Sequence, residues 1–164
     1  MEIIDLIGNK IKVEKCLGCD ISNEKIKVLG GILYSDEDFV ITQDIELPIN
    51  GFIIISTKAH YEKLSEISQN AQLKLISLIN KTIKILENNH IAEEYNIILE
   101  EKKGYHFHVW LMPRHKWMIE KFGKVLKNIK QIQEYAINNL KTQENINLIK
   151  STCDLLKNKL NSNN

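Results

Sequence analysis

Residues 105–113 read Tyr-His-Phe-His-Val-Trp-Leu-Met-Pro, alternating with a period of two that a β-strand can use and a helix cannot. Tyr105, Phe107, Val109 and Leu111 fall on one face of such a strand, and His106, His108, Trp110 and Met112 fall on the other. The first set is apolar and predicts the buried face. The second places two imidazoles roughly 6.6 Å apart along the strand, close enough to serve one ligand while each makes its own contacts. Two packed or half-exposed histidines on a sheet face would satisfy the same spacing, so other segments must decide between these readings.

The flanking text supplies the rest of a sheet. From Leu33 to Ile55, β-branched and aromatic runs cut by acidic turns, Pro48 and Gly51 predict a meander of short strands. Tyr95 to Glu101 and Tyr105 to Pro113 predict a hairpin closed near Gly104. Between them, Ser68 is placed to cap a helix over 69–88 whose stripe of Leu73, Ile76, Ile79, Ile83 and Leu86 faces a core. After Pro113 the period becomes helical. Phe122, Val125, Leu126, Ile129, Ile132 and Tyr135 make one face, and Thr142 is placed to cap a second helix carrying Ile146, Ile149, Cys153, Leu156 and Leu160. Asn161 to Asn164 are expected to fray. The fold class is α+β, an antiparallel sheet of about five strands with one packed helix, followed by a helical extension. Residues 1–118 form the sheet domain and 119–164 the extension.

A chain of 164 residues is long enough for one sizeable core. Its formal net charge of +1 lacks the concentrated field of one sign that nucleic-acid or membrane binding needs. It contains no membrane-length apolar run, and its N-terminus lacks signal-peptide character. Three cysteines, two of them as Cys16-Leu-Gly-Cys19, suit a reducing cytoplasm better than a disulfide framework. Thiolates at this spacing can take two corners of a tetrahedral zinc site, with His60 and His106 as candidates for the other two. Cys16 and Cys19 can equally be a redox pair or small buried hydrophobes. Cys153 lies in a helical stripe and reads as core, and His90 at the helix end reads as a surface residue.

The run His106-Phe-His-Val-Trp-Leu-Met112 matches six of the seven positions of the His-φ-His-φ-His-φ-φ signature, where φ is apolar. Asp44, Gly51, Lys58 and His60 follow in the order of the strand pair that precedes it, and Cys16 and Cys19 stand where many bacterial members carry a zinc-binding pair. Over roughly Cys16 to His115 the chain thus resembles the histidine-triad (HIT) superfamily of nucleotide hydrolases and transferases. The resemblance implies structural zinc held by Cys16, Cys19, His60 and His106. It also implies that His108 attacks the α-phosphorus of a nucleotide and forms a nucleotidyl-imidazole intermediate, with Asp44 on the ribose hydroxyls and a two-fold homodimer as the assembly. The chemistry is coherent. A metal-bound imidazole has spent its lone pair, whereas a free one, with a reference pKa of about 6.5, is available neutral at pH 7.

Two departures stand out. Trp110 replaces the third signature histidine, and an indole N–H can donate a hydrogen bond but cannot shuttle a proton. Relatives often carry a phosphate-binding Gly-Gln-Ser/Thr stretch before the signature, where this chain has Glu101-Lys-Lys-Gly-Tyr105. The family's Gly-His pair also reads Gly51-Phe52 here. Arg114 and His115 are the nearby candidates for compensation, Arg114 as a planar phosphate ligand or as a solvated strand-end charge. Asp44 can also be a turn-forming acid before Pro48. Trp110 and Trp117 can stack on a base or simply pack, and Lys102 and Lys103 can touch polyphosphate or keep the hairpin hydrated. Three functions compete: an enzyme acting on a dinucleoside polyphosphate or nucleoside phosphoramidate, a zinc-containing nucleotide-binding or sensor module, and a zinc-stabilised interaction domain.

Overall fold

The computed structural model describes residues 1–162. The chain opens with a short hairpin of β1 (Glu2–Ile4) and β2 (Lys10–Lys12), followed by the six-residue helix α1 (Leu17–Ser22). Three-residue strands and a six-residue helix carry too little periodicity to be read from sequence. Their apolar side chains Ile3, Val13, Ile26 and Val28 close over Ile45 in a small cluster of their own.

Next come β3 (Tyr34–Ser35), β4 (Phe39–Gln43), β5 (Ile53–Thr57), α2 (Gln69–Asn88), β6 (Tyr95–Leu99) and β7 (His108–Pro113). The five strands form one antiparallel sheet in the order β3-β4-β5-β7-β6, the expected α+β architecture. Polar turns set its connections. Asp36 Oδ1 accepts from the amides of Asp38 and Phe39, both at 2.8 Å, and turns β3 into β4. Gly51, at φ +76°, closes the β4–β5 connection where a Cβ would meet Ile91 Cγ2 at 2.7 Å.

The sheet is covered on both faces. Phe39, Ile41, Ile53, Ile55, Val109 and Leu111 pack against α2 and the last helix, α5 (Gln143–Asn161), while Ile54, Ile98, Trp110 and Met112 meet α3 (Lys116–Phe122) and α4 (Ile129–Asn139). Thr142 caps α5, accepting from the Asn145 amide at 3.2 Å, and the predicted stripe from Ile146 to Leu160 is buried. No helix among the described residues is long and apolar enough to cross a membrane.

Four local expectations need correction. Ser68 does cap α2, but the buried stripe is Ala71, Leu75, Leu78, Ile79, Thr82 and Leu86, while Leu73 and Ile76 are exposed. At ~100° per residue Leu73 lies about 120° around the helix from Ile79, and the small Ala71 and Thr82 complete the inner face instead. The single face expected over 122–135 is broken by Gly123, at φ +71°, into α3, a 3-10 turn and α4, leaving Leu126 exposed. Tyr105 is not on the buried face: β7 begins at His108, and Tyr105 sits in a turn whose amide bonds the Lys102 carbonyl at 2.9 Å. Asn161 closes α5 rather than fraying, its amide donating to the carbonyls of Leu33 and Lys157 at 2.8 and 2.6 Å. Ser162 follows, its amide bonded to the Asn158 carbonyl at 3.1 Å, and residues 163 and 164 lie outside the described residues.

Candidate functional site

The N-cap of α1 is Cys16, in extended conformation, so Cys16 and Cys19 stand three residues apart on one side of the helix. Their partners, His60 and His106, lie three residues past the end of β5 and two before the start of β7. From its last residue onward the chain after β5 stays tied to the segment before β7, through Thr57 N to Phe107 O at 3.2 Å and Phe107 N to Tyr61 O at 2.7 Å. This zipper brings His60 and His106 together, ring centroids 5.1 Å apart and nearly perpendicular. Each histidine's Nδ1 lies 3.4–3.5 Å from both sulfurs, and the four ligand atoms fall within 4.8 Å of one another.

These distances test whether a metal ion fits. Bonds of about 2.3 Å to sulfur and 2.0–2.1 Å to nitrogen at a tetrahedral angle separate S from N by roughly 3.6 Å, close to the spacing found. The tautomer also suits a cation. His106 Nε2–H donates to the Thr57 carbonyl at 2.6 Å, which leaves the Nδ1 lone pair facing the sulfurs. Burial lowers the His106 pKa from its ordinary value, which favours the neutral ring. Burial, and then the facing Cys16 thiol, push Cys19 up to about 11, a penalty that a cation between the two sulfurs would reverse. Gly18 completes the pocket wall. A Cβ there would lie 2.5 Å from His106 Cγ, so the imidazole rests directly on the glycine backbone.

His108 is held differently. Its Nδ1 donates to the His106 carbonyl at 2.8 Å, which assigns the lone pair to Nε2. Ser56 lies directly across from it on β5 and Val40 across from Ser56 on β4, so the three share one sheet face. In the next row Trp110 stands between Ile54 and Ile98. Its ring centroid is 6.0 Å from that of His108, and Phe52 packs edge-on against it at 5.5 Å.

The other predicted residues divide. Asp44 lies just beyond β4 and forms a turn, its Oδ1 accepting from the amides of Glu46 and Leu47 at 2.9 and 2.8 Å; burial pushes its carboxyl up to about 6. Arg114 is not brought to His108. Six residues of strand put it about 20 Å away, where it pairs with Glu94. His115 spends Nε2–H on the Asn50 carbonyl at 2.8 Å, Trp117 packs with Phe122 and Tyr135, and Cys153 is buried against Gly30. His90 adopts φ +56° and ends α2, with Ile91 N bonded to Leu86 O and His90 N to Glu87 O. In the turn before His106, Glu62 Oε1 accepts from Gly104 N at 2.9 Å, and Lys102 Nζ sits 4.5 Å over the Tyr105 ring. Thr57, Gly18 and Ser56 escaped the sequence reading. The last two residues of the β5 run and the glycine inside the Cys-x-x-Cys are visible there, but their partners are set by strand register.

Known proteins are similar to this chain in sequence and fold. An uncharacterized HIT-like protein of Methanocaldococcus jannaschii is 28% identical over 122 residues, spanning 70% of this chain and 91% of the relative. The fold is similar to that of a Zn-bound histidine triad family protein from Mycobacterium smegmatis (TM-score 0.59, 17% identity, 87% of this chain and 96% of that one). It is also similar to that of a Hit-like protein from Bartonella henselae described as involved in cell-cycle regulation (TM-score 0.63, 13% identity, 90% and 98%). A sequence model described as "HIT domain" matches residues 27–117, more than half of the chain, starting downstream of Cys16 and Cys19. The chain belongs to the HIT-domain family.

Proposed function

We propose that this protein is a nucleotide hydrolase or nucleotidyltransferase in which His108 attacks the α-phosphorus of a dinucleoside polyphosphate or a nucleoside phosphoramidate. The observation that carries this reading is the hydrogen bond from His108 Nδ1 to the His106 carbonyl, beside a four-ligand cluster that engages the neighbouring imidazole. Two thiolates and two imidazoles are an ordinary structural zinc set, and the M. smegmatis protein of this fold is described as Zn-bound. Bound by four protein ligands, zinc supplies rigidity alone.

His108 Nε2 bonds to phosphorus as the bond to the leaving group breaks, and the leaving group departs with that electron pair. Water or an acceptor hydroxyl then attacks phosphorus, the P–N bond breaks back onto Nε2, and the attacking oxygen sheds its proton to solvent. Trp110 stands where the signature has its third histidine and offers no proton shuttle. Leaving groups that depart as anions, such as the phosphate of a polyphosphate chain, therefore suit the site better than amines. Asp44 has Oδ1 committed to its turn and Oδ2 left for a ribose hydroxyl.

Mass spectrometry after rapid quench should find a nucleotidyl adduct on His108, and full turnover in a His108→Ala variant would refute the mechanism. The carboxylate already bonded to Gly104 N favours a second reading, a nucleotide-binding sensor with little catalysis. Micromolar binding with no turnover across mononucleotide, dinucleotide and phosphoramidate substrates would establish it. For assembly, β6 is an edge strand with Ile97 and Leu99 exposed, which supports a homodimer that pairs β6 with its copy. A light-scattering mass of one chain would exclude it.

A further inference from the structure

The mechanism above leaves the attacked phosphate with no named donor. Arg114 is paired with Glu94 just past the far end of β7, the Gly104 amide is taken by Glu62, and the Tyr105 amide by the Lys102 carbonyl. The residue directly opposite His108 in the β5–β7 ladder is Ser56. Opposed residues of antiparallel strands project from the same face with Cβ atoms about 4.5–5.5 Å apart, so the serine side chain neighbours that of His108. Ser56 is 8% exposed, and the strand positions that share its face on β5 and β7 are the apolar Ile54, Trp110 and Met112. Unlike Ser22, Thr82 and Thr152, whose hydroxyls are sealed inside without a partner, Ser56 is not among the enclosed orphan groups. A small polar side chain in a β-branched run, next to the proposed nucleophile, is what the strand would need to meet a charged oxygen.

We propose that Ser56 is a substrate-contacting residue whose hydroxyl donates a hydrogen bond to a non-bridging oxygen of the phosphate that His108 attacks. This rests on the nucleotidyl-transfer reading. The contact grows stronger as negative charge gathers on that oxygen, so it acts on the rate of phosphorus transfer more than on nucleotide binding. The hydroxyl keeps its proton throughout and stabilises charge without acting as an acid.

The test uses the full chain with its metal and diadenosine tetraphosphate as the probe, comparing wild type with Ser56→Ala and Ser56→Thr by rapid quench. Loss of a hydrogen bond to a charged group should slow adduct formation roughly 10- to 100-fold in Ser56→Ala. KM should change far less, and Ser56→Thr, which keeps the hydroxyl on a strand-compatible side chain, should recover most of the rate. Metal content and melting temperature, measured on the same samples, report whether the variants fold. An unchanged rate in Ser56→Ala, with wild type forming the adduct, overturns the role of Ser56 alone. Equal impairment of folded Ala and Thr variants assigns the residue to packing and also overturns it. Absence of any adduct in wild type overturns the underlying reading as well.

Discussion

Replacing Gly18 by alanine pits two effects of opposite sign against each other. In the interior of a helix, Gly→Ala ordinarily stabilises by about 0.5–1 kcal/mol, because glycine loses more backbone freedom on folding. Here the new Cβ would lie 2.5 Å from His106 Cγ and 2.9 Å from its Cβ and Cδ2. Ordinary contact begins near 3.4 Å, so ring and helix must part by about 1 Å. The ring has nowhere to go. Its far edge is pinned by Nε2 to the Thr57 carbonyl at 2.6 Å, and metal–ligand bonds tolerate only about 0.2 Å. With the proposed zinc bound, either the Thr57 bond or a metal bond would have to give way. Loss of such an orienting partner lowers metal affinity about 10- to 100-fold, or ~1.4–2.8 kcal/mol, which exceeds the helix-propensity gain. Competition against a chromophoric chelator measures zinc affinity directly. Affinity equal to wild type, or higher, would refute the argument that the imidazole is seated on this glycine.

Four further outcomes follow from the geometry. Asp44 has an ordinary pKa of 3.8 that burial raises to about 6, so ionisation from about pH 4 upward costs folded-state stability. Asp44→Asn keeps the turn and removes that loss, so its stability relative to wild type should rise by of order 2 kcal/mol between pH 4 and 7, after allowance for partial exposure; a pH-independent difference in denaturant titrations would contradict this. His90→Gly relieves a positive φ at the end of α2 and should raise stability by up to about 1 kcal/mol, whereas a lower melting temperature would show the histidine to be at ease there. Gly51→Ala should destabilise by more than ~1 kcal/mol because of its φ and the Ile91 contact, as thermal unfolding would register. Arg114→Ala should leave the yield of any His108 adduct within twofold of wild type, and a large loss would place the guanidinium at the site after all.

What could be read from sequence was chemistry that carries its own spacing. Cys16 and Cys19 share one side of α1 because three residues make about one turn, and His106 and His108 are told apart by a period of two. The strands of the sheet were legible for the same reason. Facing and pairing were not. Leu73 and Ile76 are as apolar as Leu75 and Leu78, and the sheet beneath α2 decides which of them is covered. That Ser56 meets His108, or that Thr57 holds His106, depends on register between strands some fifty residues apart in sequence. Arg114 lies apart from His108 because adjacency in sequence becomes distance along an extended strand.

The two rims of the sheet are unequal. On one side it stops at β3, two residues long and backed by α5; on the other it stops at β6, five residues long with apolar side chains outward. A sheet with a single usable rim can be extended once, by a copy turned through half a revolution, and the result presents a stunted rim at either side. In the proposed homodimer growth would terminate at the pair, and a strand edge that could otherwise seed filaments would be consumed in a closed particle.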